Sequence, residues 1–365
     1  MKSKLMCLLL LLLCVGQADA QQIAPWFQGL VGDVKPAQYQ LNGAVETPFL
    51  FWGGDVATFV ANGGLKTTPD STYGKLGLSL NLVPGDDFIQ QVRNYANGKT
   101  PLLRGTFTQL AQASELLGTD PNMKPIVIFQ LTWSAGDHMV VRDPAQLDAE
   151  GKATITKRST LNDLRGKTVC LQQGGPHVGL VDDALKAAGL KWSDINVVWT
   201  KDLSGSGDSP ITKMRNDPKI DVACVITPDM FGLTGGPDAV GTGAENTVLG
   251  AHVLVSTAQM SRSIVDVYAV RADFFKNNRD WVQKFTAGFC KGVETLVAAK
   301  TVYNDGMGQS PEYMGYLKMA QDIFGPANLP TLEVDTHGLV SDATFVGIAG
   351  NVSFFEDAGN LNGFE

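Results

Sequence analysis

Several residue clusters in this sequence approach the patterns of known chemistry, but none of them completes one. Two Gly-Lys-Thr triplets, at residues 98–100 and 166–168, match the end of a phosphate-binding loop. Arg93 and Leu161, however, occupy the positions of its first glycine. Neither Gly-x-Ser-x-Gly nor Cys-x-x-Cys occurs in the chain. The sequence therefore predicts neither phosphate-loop nor serine-hydrolase chemistry.

The histidines and the remaining glycine pair give no sign of catalysis either. His138, His177, His252 and His337 lack the spacing that is typical of metal ligands. Gly241-x-Gly243 follows no predicted strand and lacks the third glycine of a dinucleotide site. We therefore expect no metal, no cofactor and no enzymatic activity, and an unconventional exported enzyme remains an alternative.

Composition and charge indicate a globular protein and give no sign of nucleic-acid binding. The chain has 365 residues, of which 44% are hydrophobic and 18% charged. This length and hydrophobic fraction are enough for two domains with hydrophobic cores. Twenty-nine basic and 37 acidic residues give a net charge of −8. Because no basic run interrupts this acidic balance, we expect no nucleic-acid partner.

The first twenty residues have the pattern of a secretory signal peptide. Lys2 and Lys4 precede an apolar run at residues 5–15, and Ala18-Asp19-Ala20 offers small residues at a cleavage site. Leu13 precedes Cys14, whereas a lipid-modified cysteine follows a small residue. The pattern therefore predicts a periplasmic protein that is free of a lipid anchor.

Three cysteines follow this segment, namely Cys170, Cys224 and Cys290. They are too few for a disulfide framework. We expect them to be buried free thiols, and one disulfide bridge remains open.

Strand-like and helix-like segments alternate along the chain in two successive groups. The first group has strands predicted at 47–52, 78–83, 101–103 and 125–131, and the second has strands predicted at 167–171, 196–199, 221–226 and 253–256. A polar link at residues 143–160 separates the groups. This restart predicts two α/β lobes, each with a mostly parallel sheet flanked by helices, and a single doubly wound domain is the alternative.

The helical tail carries no third strand–helix–strand unit, so we expect it to pack against the first lobe. The predicted first lobe comprises residues 21–142 and 263–365, and the predicted second lobe comprises residues 143–262.

Residues suited to ligand binding follow the predicted strands. In open α/β sheets, ligands bind at the carboxyl ends of the strands. Glycine allows close approach to the backbone, tryptophan offers a flat wall, and polar side chains orient a ligand. The candidate ligand-binding residues are Trp52, Gly53, Gly54, Asp55, Arg104, Gly105, Thr106, Trp133, Ser134, Gly174, Gly175, His177, Thr200, Asp202, Thr227 and Asp229.

Each of these residues also has an ordinary structural interpretation. The glycine pairs can be simple turns, and the two tryptophans can belong to the core. Arg104 can pair with a structural carboxylate, and His177 can be an ordinary residue of a first helical turn. Asp55 can cap the helix that follows it.

Three long segments resemble a known family of transport proteins. The recurrent phrases of this family match three parts of the chain. These are LNDLRGKTVCL at 161–171 with LVDDALKAAGL at 180–190, IDVACVITP at 220–228, and VRADFFKNNRDWVQKFTAG at 270–288. On these residues the chain resembles periplasmic solute-binding proteins of the nitrate, taurine, aliphatic-sulfonate and thiamine-precursor type. The similarity is weaker in the first group of segments.

The resemblance implies a two-lobed type II periplasmic-binding-protein fold with two hinge crossings, near 139–142 and 264–270. It also implies the solute-binding subunit of an ABC importer, a monomer that closes on a small molecule and delivers it to a membrane permease. The family's ligand-contacting loops correspond to Gly174, Gly175 and His177, and to Thr227.

One departure from the family pattern bears on the ligand. Trp52-Gly53-Gly54-Asp55 stands where the family has a small residue before proline, and the Asp55 carboxylate repels an anion unless it caps its helix. We therefore expect a small polar or anionic solute, such as a sulfonate, nitrate or pyrimidine-like molecule. An aromatic or amine-bearing solute remains open, as does a role as a ligand-presenting sensor.

Overall fold

The computed structural model describes residues 27–260, 263–306 and 308–356. The predicted signal peptide at residues 1–20 lies outside this part of the chain. Among the described helices, none is both long enough and apolar enough to cross a membrane.

The described residues alternate between strands and helices. The strands are β1 Val45–Phe49, β2 Leu80–Pro84, β3 Leu102–Thr106, β4 Pro125–Ser134, β5 Asp137–Arg142, β6 Ala145–Leu147, β7 Ala153–Ile155, β8 Thr168–Gln172, β9 Asn196–Thr200, β10 Val222–Ile226, β11 Ala251–Ser256, β12 Val265–Arg271 and β13 Ala343–Phe345. The α-helices are α1 Phe27–Val31, α2 Val56–Asn62, α3 Thr72–Lys75, α4 Phe88–Ala96, α5 Phe107–Leu117, α6 His177–Ala187, α7 Pro210–Asn216, α8 Thr227–Thr234, α9 Ala272–Asn277, α10 Arg279–Asp305, α11 Pro311–Phe324, α12 His337–Ser341 and α13 Ile348–Phe355.

The helices begin where the sequence supplies caps. The Asp87 carboxylate accepts the backbone N–H of Gln90 at 2.9 Å and starts α4. Thr106 and Gln109 form a capping box at the start of α5, in which each side chain accepts a hydrogen bond from the other residue's backbone N–H. These caps fix the two helices directly behind the β2 and β3 ends.

The first sheet combines a parallel pair with an antiparallel group. β1 and β2 run parallel, and β1 packs beside β3. The four-stranded group has the order β13-β4-β12-β3, in which β12 runs antiparallel to both of its neighbours. The late strand β12 therefore lies inside the sheet that the early strands build.

The second sheet has five strands in the order β11-β5-β10-β8-β9. β8 runs parallel to β9 and to β10, whereas β5 runs antiparallel to both β10 and β11. The predicted two-lobed α/β fold is confirmed. Neither lobe has the mostly parallel sheet that the sequence predicts. The four-stranded group of the first lobe is antiparallel beside the separate parallel pair β1–β2, and the sheet of the second lobe is mixed.

Strand pairing also changes one predicted boundary. β5 joins the second sheet, whereas the sequence placed every residue up to 142 in the first lobe. Its apolar run gives no sign of which sheet it joins, because its partners β10 and β11 lie far along the chain. The chain leaves the first sheet after Ser134 and returns to it at Val265. We therefore propose lobe boundaries at 135–136 and 257–264.

Aromatic packing attaches the helical tail to the first sheet. Phe129 of β4 stacks on Phe289 of α10, with ring centroids 4.6 Å apart. Phe285, one helical turn earlier, stacks on Trp281 at 5.2 Å. A separate core of aliphatic residues from β5, β8 and α6 holds the second lobe. The described part of the tail thus packs against the first sheet.

Candidate functional site

Two adjoining cavities lie between the loops of the two lobes. The outer cavity has a volume of about 280 Å³ and the inner one about 30 Å³. They share the side chains of Phe51 and Asp86 from the first lobe, and of Gln172 and Leu203 from the second. We treat the two cavities together as the interlobe site.

The walls of the outer cavity combine aromatic rings with carboxylates. Phe51 and Phe324 meet edge to face, with centroids 4.9 Å apart. The described residues that line this cavity are Phe49, Phe51, Pro84, Asp86, Asp87, Gln172, Asp202, Leu203, Ser204, Gly205, Ile323, Phe324 and Asn328. Both lobes therefore contribute polar and apolar groups to one enclosed space.

The inner cavity lies deeper between the sheets. The described residues around it are Leu50, Phe51, Trp52, Asp86, Gln109, Asp137, Gln172, Pro176, Leu203, Ile226, Ile264 and Asp266. Its volume is about that of a single water molecule in the liquid, ~30 Å³. The outer cavity thus offers the main space for a ligand.

Hydrogen bonds already join the lobes around this site. The side-chain amide of Gln172 donates to the backbone carbonyls of Asp86 at 3.1 Å and of Lys201 at 3.2 Å. The amide of Gln109 donates to the carbonyl of Gly174 at 3.0 Å. These bonds place the rims of the two lobes in contact, so the structure has a closed arrangement.

A buried group of three charges stands behind the inner cavity. Arg104 donates to Asp55 at 2.7 Å and to Asp266 at 2.8 Å, and its side chain has no exposed area. Burial raises the pKa of Asp55 to about 6, against the opposing effect of Arg104. Burial likewise raises the pKa of Asp266. Burial acts to lower the pKa of Arg104, but the two carboxylates outweigh it and raise that pKa.

This charged group extends to the wall of the inner cavity. The Trp52 indole N–H donates to Oγ1 of Thr132 at 3.1 Å, and this hydroxyl donates to Asp266 at 2.9 Å. Asp55, which could have capped helix α2, makes no side-chain cap there and pairs with Arg104 instead. Arg104 is therefore a structural ion-pair partner that orients two carboxylates and does not itself line the site.

A second buried chain of polar groups runs through the first crossing. Ser134 donates its hydroxyl to Asp137, and Asp137 contacts Nε2 of His177 at 2.7 Å. The carboxylate stands between the hydroxyl and the imidazole. His177 therefore cannot take a proton from Ser134 directly, and the three residues do not form a nucleophilic triad.

The start of helix α8 packs against the same crossing. Oγ1 of Thr227 donates to the carbonyl of Gly136 at 3.2 Å and contacts Nε2 of His138 at 2.9 Å. Asp229, two residues further along α8, accepts the hydroxyl of Ser204 at 3.0 Å. Burial raises the pKa of Asp229 to about 6.

Two glycines in the candidate set are required by close approach. A Cβ at Gly53 would overlap the carbonyl oxygen of Leu339 in α12. A Cβ at Gly175 would lie 2.6 Å from Oε1 of Gln172. Gly53 therefore serves the packing of the tail, and Gly175 leaves space for a side chain of the interlobe site.

The structure places the predicted residues around the interlobe site in two groups. Trp52 and Asp202 line the cavities directly. The rest are absent from the described cavity walls, and these are Gly53, Gly54, Asp55, Arg104, Gly105, Thr106, Trp133, Ser134, Gly174, Gly175, His177, Thr200, Thr227 and Asp229. Most support a lining residue from behind, as His177 supports Asp137.

Trp133 is placed elsewhere. It lies on β4 beside the edge strand β13 and meets the ring of Phe354 at 6.3 Å. Thr200 and Lys201 instead border a separate groove of about 320 Å³. Neither Trp133 nor Thr200 contributes to the interlobe walls described above.

Sequence reasoning missed several lining residues that lie within the predicted strands or just beyond them. Phe49 ends β1, Gln172 ends β8 and Asp266 lies in β12. Asp86 directly precedes Asp87, which caps α4. The signal for Gln172 was present, since a polar residue ends an otherwise apolar strand directly before a glycine turn.

Comparisons with known proteins agree on the fold. No protein-family model matches the chain, and no curated protein matches its sequence. Solved structures do match. The periplasmic aliphatic sulphonate binding protein SsuA from Escherichia coli gives a TM-score of 0.52 at 13% identity, over 86% of this chain and 84% of its own.

Two further structures match at similar levels. The ligand binding component of an ABC-type import system from Staphylococcus aureus, with zinc bound, gives a TM-score of 0.53 at 11% identity, over 84% of this chain and 86% of its own. The periplasmic nitrate-binding protein NrtA from Synechocystis gives 0.50 at 10% identity, over 78% and 67%. At these identities the matches establish the fold, which is that of periplasmic binding proteins.

Proposed function

We propose, starting from this two-lobed fold, that the chain is the solute-binding subunit of an ABC-type importer. The observation that carries the proposal is the interlobe site itself. Loops from both lobes enclose about 280 Å³ and are joined across the gap by Gln172 and Gln109. A cavity built from two halves that a hinge can separate suits reversible capture of a small molecule.

In this mechanism, the contacts of the ligand with both lobes stabilise the closed state. A ligand in the outer cavity touches both lobes only when they are together, so it favours the closed state over the open one. We propose that the crossings at 135–136 and 257–264 bend to allow this change. Phe51 and Asp86 then move with one lobe, and Gln172 and Asp202 with the other.

The proposed location and partners follow from the same reasoning. The fold neighbours include proteins described as periplasmic, and one described as the ligand binding component of an import system. Residues 1–20 have the pattern of a signal peptide. We therefore place the protein in the periplasm as a monomer that presents its closed form to a membrane permease.

A thermal-shift screen of the chain from residue 21 tests the proposal. A solute that binds only the folded state stabilises it by RT ln(1+[L]/Kd), or about 2.7 kcal/mol at one hundred times Kd. We expect at least one small polar solute from a broad library to raise the melting temperature. If no member of such a library does so, the proposed function is wrong.

The exported enzyme and the ligand-presenting sensor remain alternatives with different readouts. An enzyme would convert a bound solute to product, which mass spectrometry of the incubated mixture detects. In an enzyme, the polar chain Ser134–Asp137–His177 would be the candidate catalytic group. Asp137 stands between the serine and the histidine, and this arrangement disfavours a nucleophilic serine. A sensor would bind without turnover and would not support uptake in a transport assay.

A further inference from the structure

The charges that face the interlobe site have one sign. Asp86, Asp87 and Asp202 line the outer cavity, and Asp137 and Asp266 line the inner one. No lysine, arginine or histidine is found among the described residues that line either cavity. The charged residues that line the two described cavities are therefore all acidic.

The nearest cation offers nothing to an anion. Arg104 is fully buried, and its guanidinium already donates to Asp55, to Asp266 and to the carbonyl of Gly105. The N-terminus of α4, which begins beside the outer cavity, is closed by the side chain of Asp87. Helices α6 and α8 begin at the inner cavity without a side-chain cap, but the outer cavity offers the main space for a ligand.

Two carboxylates at the outer cavity, Asp86 and Asp202, form no salt bridge among the described residues. Asp86 accepts the backbone N–H of Phe51 at 2.8 Å, and burial raises its pKa against the opposing effect of Arg104. The side chains of Asp86 and Asp202 come from opposite lobes. Closure therefore brings two unpaired negative charges to one cavity, which costs energy unless a positive group lies between them.

An independent observation concerns Gln172, which lines both cavities and is 3% exposed. Its Nε2 donates to two backbone carbonyls, and this fixes the orientation of the amide. Its Oε1 is buried and has no hydrogen-bond partner. A buried acceptor without a donor is costly. The site therefore lacks an N–H or O–H donor that a ligand can bring.

The walls determine what kind of cation fits. Phe51 and Phe324 present aromatic surface to the same cavity, and a cation over an aromatic face is attracted to the ring. The described residues contain no group of three or more metal-ligand side chains. Aromatic walls beside few carboxylates suit an organic cation better than a metal ion.

We propose, on the basis of the proposed function, that the solute is a small organic cation such as an amine or amidine. Its charged N–H groups meet Asp86, Asp202 and Oε1 of Gln172, and its apolar part lies against Phe51 and Phe324. This assignment differs from the anionic solutes that the sequence resemblance suggests.

Probes of similar size and different charge test this inference by thermal shift and calorimetry. One trio is benzamidine, benzamide and benzoate, and the other is butylamine, butanol and butanesulfonate. We expect the cation of at least one trio to bind at least tenfold more tightly than its neutral and anionic counterparts. The Asp86→Asn variant should weaken cation binding by about 10- to 100-fold, because a charge-assisted hydrogen bond is lost.

Asp238→Asn is the matched control, since it removes an equal charge from an exposed site outside the cavities. It should leave binding unchanged, and Asp202→Asn provides a second test if the Asp86 variant does not fold. If neutral or anionic probes bind as tightly as the cations, the cation inference is wrong while the proposed function stands. If neither trio binds, the charge of the solute that binds most tightly in the broad library decides whether the cation inference is right. If no solute of that library binds, both proposals fail.

Discussion

The most constrained residues of this protein lie behind its cavity. Arg104 touches two carboxylates, and one of them, Asp266, lines the inner cavity. A buried ion pair contributes little net stability, but removal of one partner leaves the others uncompensated. Arg104, a candidate ligand-binding residue in the sequence, is thus a positioning residue, because its charge is paired with two carboxylates inside the first lobe.

The Arg104→Met variant should be much less stable than the parent chain. Two buried carboxylates, Asp55 and Asp266, would lose their only cation, and such losses cost about 3–5 kcal/mol. Urea unfolding at pH 7.5 measures the change. We expect a smaller loss at pH 5, where Asp55, whose pKa is about 6, is largely protonated. A loss below about 1 kcal/mol at pH 7.5 would contradict this account of the group.

Asp229 gives a pH-dependent prediction with a defined sign. Burial raises its pKa from 3.8 to about 6, so the folded state holds a proton that the unfolded state has released between these values. Stability from this group therefore falls as pH rises from about 4 to 6, and the loss persists above. Asp229→Asn should remove that loss and gain on the order of 1–3 kcal/mol at pH 8.

Unfolding midpoints of the Asp229→Asn and parent chains between pH 4 and pH 8 check this prediction. The two chains should be similar near pH 4 and should diverge as pH rises. A constant difference across the range would show that the carboxyl group of Asp229 does not titrate near pH 6.

At the scale of elements, close backbone approach decides how the tail meets the first lobe. The short 3₁₀ turn Gly53–Asp55 follows β1 and lies against the backbone of α12. This contact joins the first described strand of the lobe to a helix near the end of the chain. A side chain at Gly53 would have to push apart two pieces of backbone, which cannot move as a flexible side chain can.

Gly53→Ala should therefore destabilise the protein by about 1–3 kcal/mol, the usual cost of overpacking. Gly338→Ala in α12 is the matched control. A Cβ there meets no atom within 4 Å, and alanine favours the helix by up to ~1 kcal/mol over glycine. Thermal and urea unfolding of both variants measure the difference. Equal stability of the two variants would contradict the close contact at Gly53.

The sequence predicted the elements well and their pairing poorly. The strand β9 begins at its predicted first residue, and the strand β8 lies one residue from its predicted position. Local periodicity and caps determine such elements. Pairing depends on partners far away, as with Asp266, which is 162 residues from Arg104. The same distance explains why Arg104 was interpreted as a ligand contact and Asp266 was overlooked.

The sequence predicted that the candidate site lies at the ends of strands, but it did not predict most of the residues that line the site. Among the residues that the strand-end rule selected, Trp52 and Asp202 line the described cavities. The rule missed Gln172 and Asp86, because it does not specify which side chain at a strand end faces the opposite lobe. Only the relative position of the two lobes supplies that information.

At the scale of the whole molecule, the two lobes touch closely enough to be cross-linked. A Cβ at Gly179 of α6 would lie 3.4 Å from the Cβ of Thr108 in α5, which is near the separation in a disulfide. The described native cysteines, Cys170, Cys224 and Cys290, are buried free thiols. Burial raises the pKa of each of these thiols, so they compete weakly for oxidant.

The Thr108→Cys/Gly179→Cys variant should therefore form a disulfide that holds the lobes closed. When it is oxidised, we expect binding and release of the solute found in the screen to slow at least tenfold, with recovery after reduction. Mass spectrometry confirms the disulfide, and stopped-flow fluorescence measures the rates. The Gly179→Cys single variant is the control. Unchanged rates in the oxidised double variant would exclude hinge closure as the means of capture.

The central place of β12 in the first sheet has a consequence for how the chain acquires its structure during synthesis. The second lobe's five strands come from one continuous stretch, so this half can complete its sheet as soon as β11 has left the ribosome. The first half must wait with an open gap between β3 and β4 until β12 arrives. Such long-range pairing is slow to form. This delay leaves the first lobe incomplete for longer than the second.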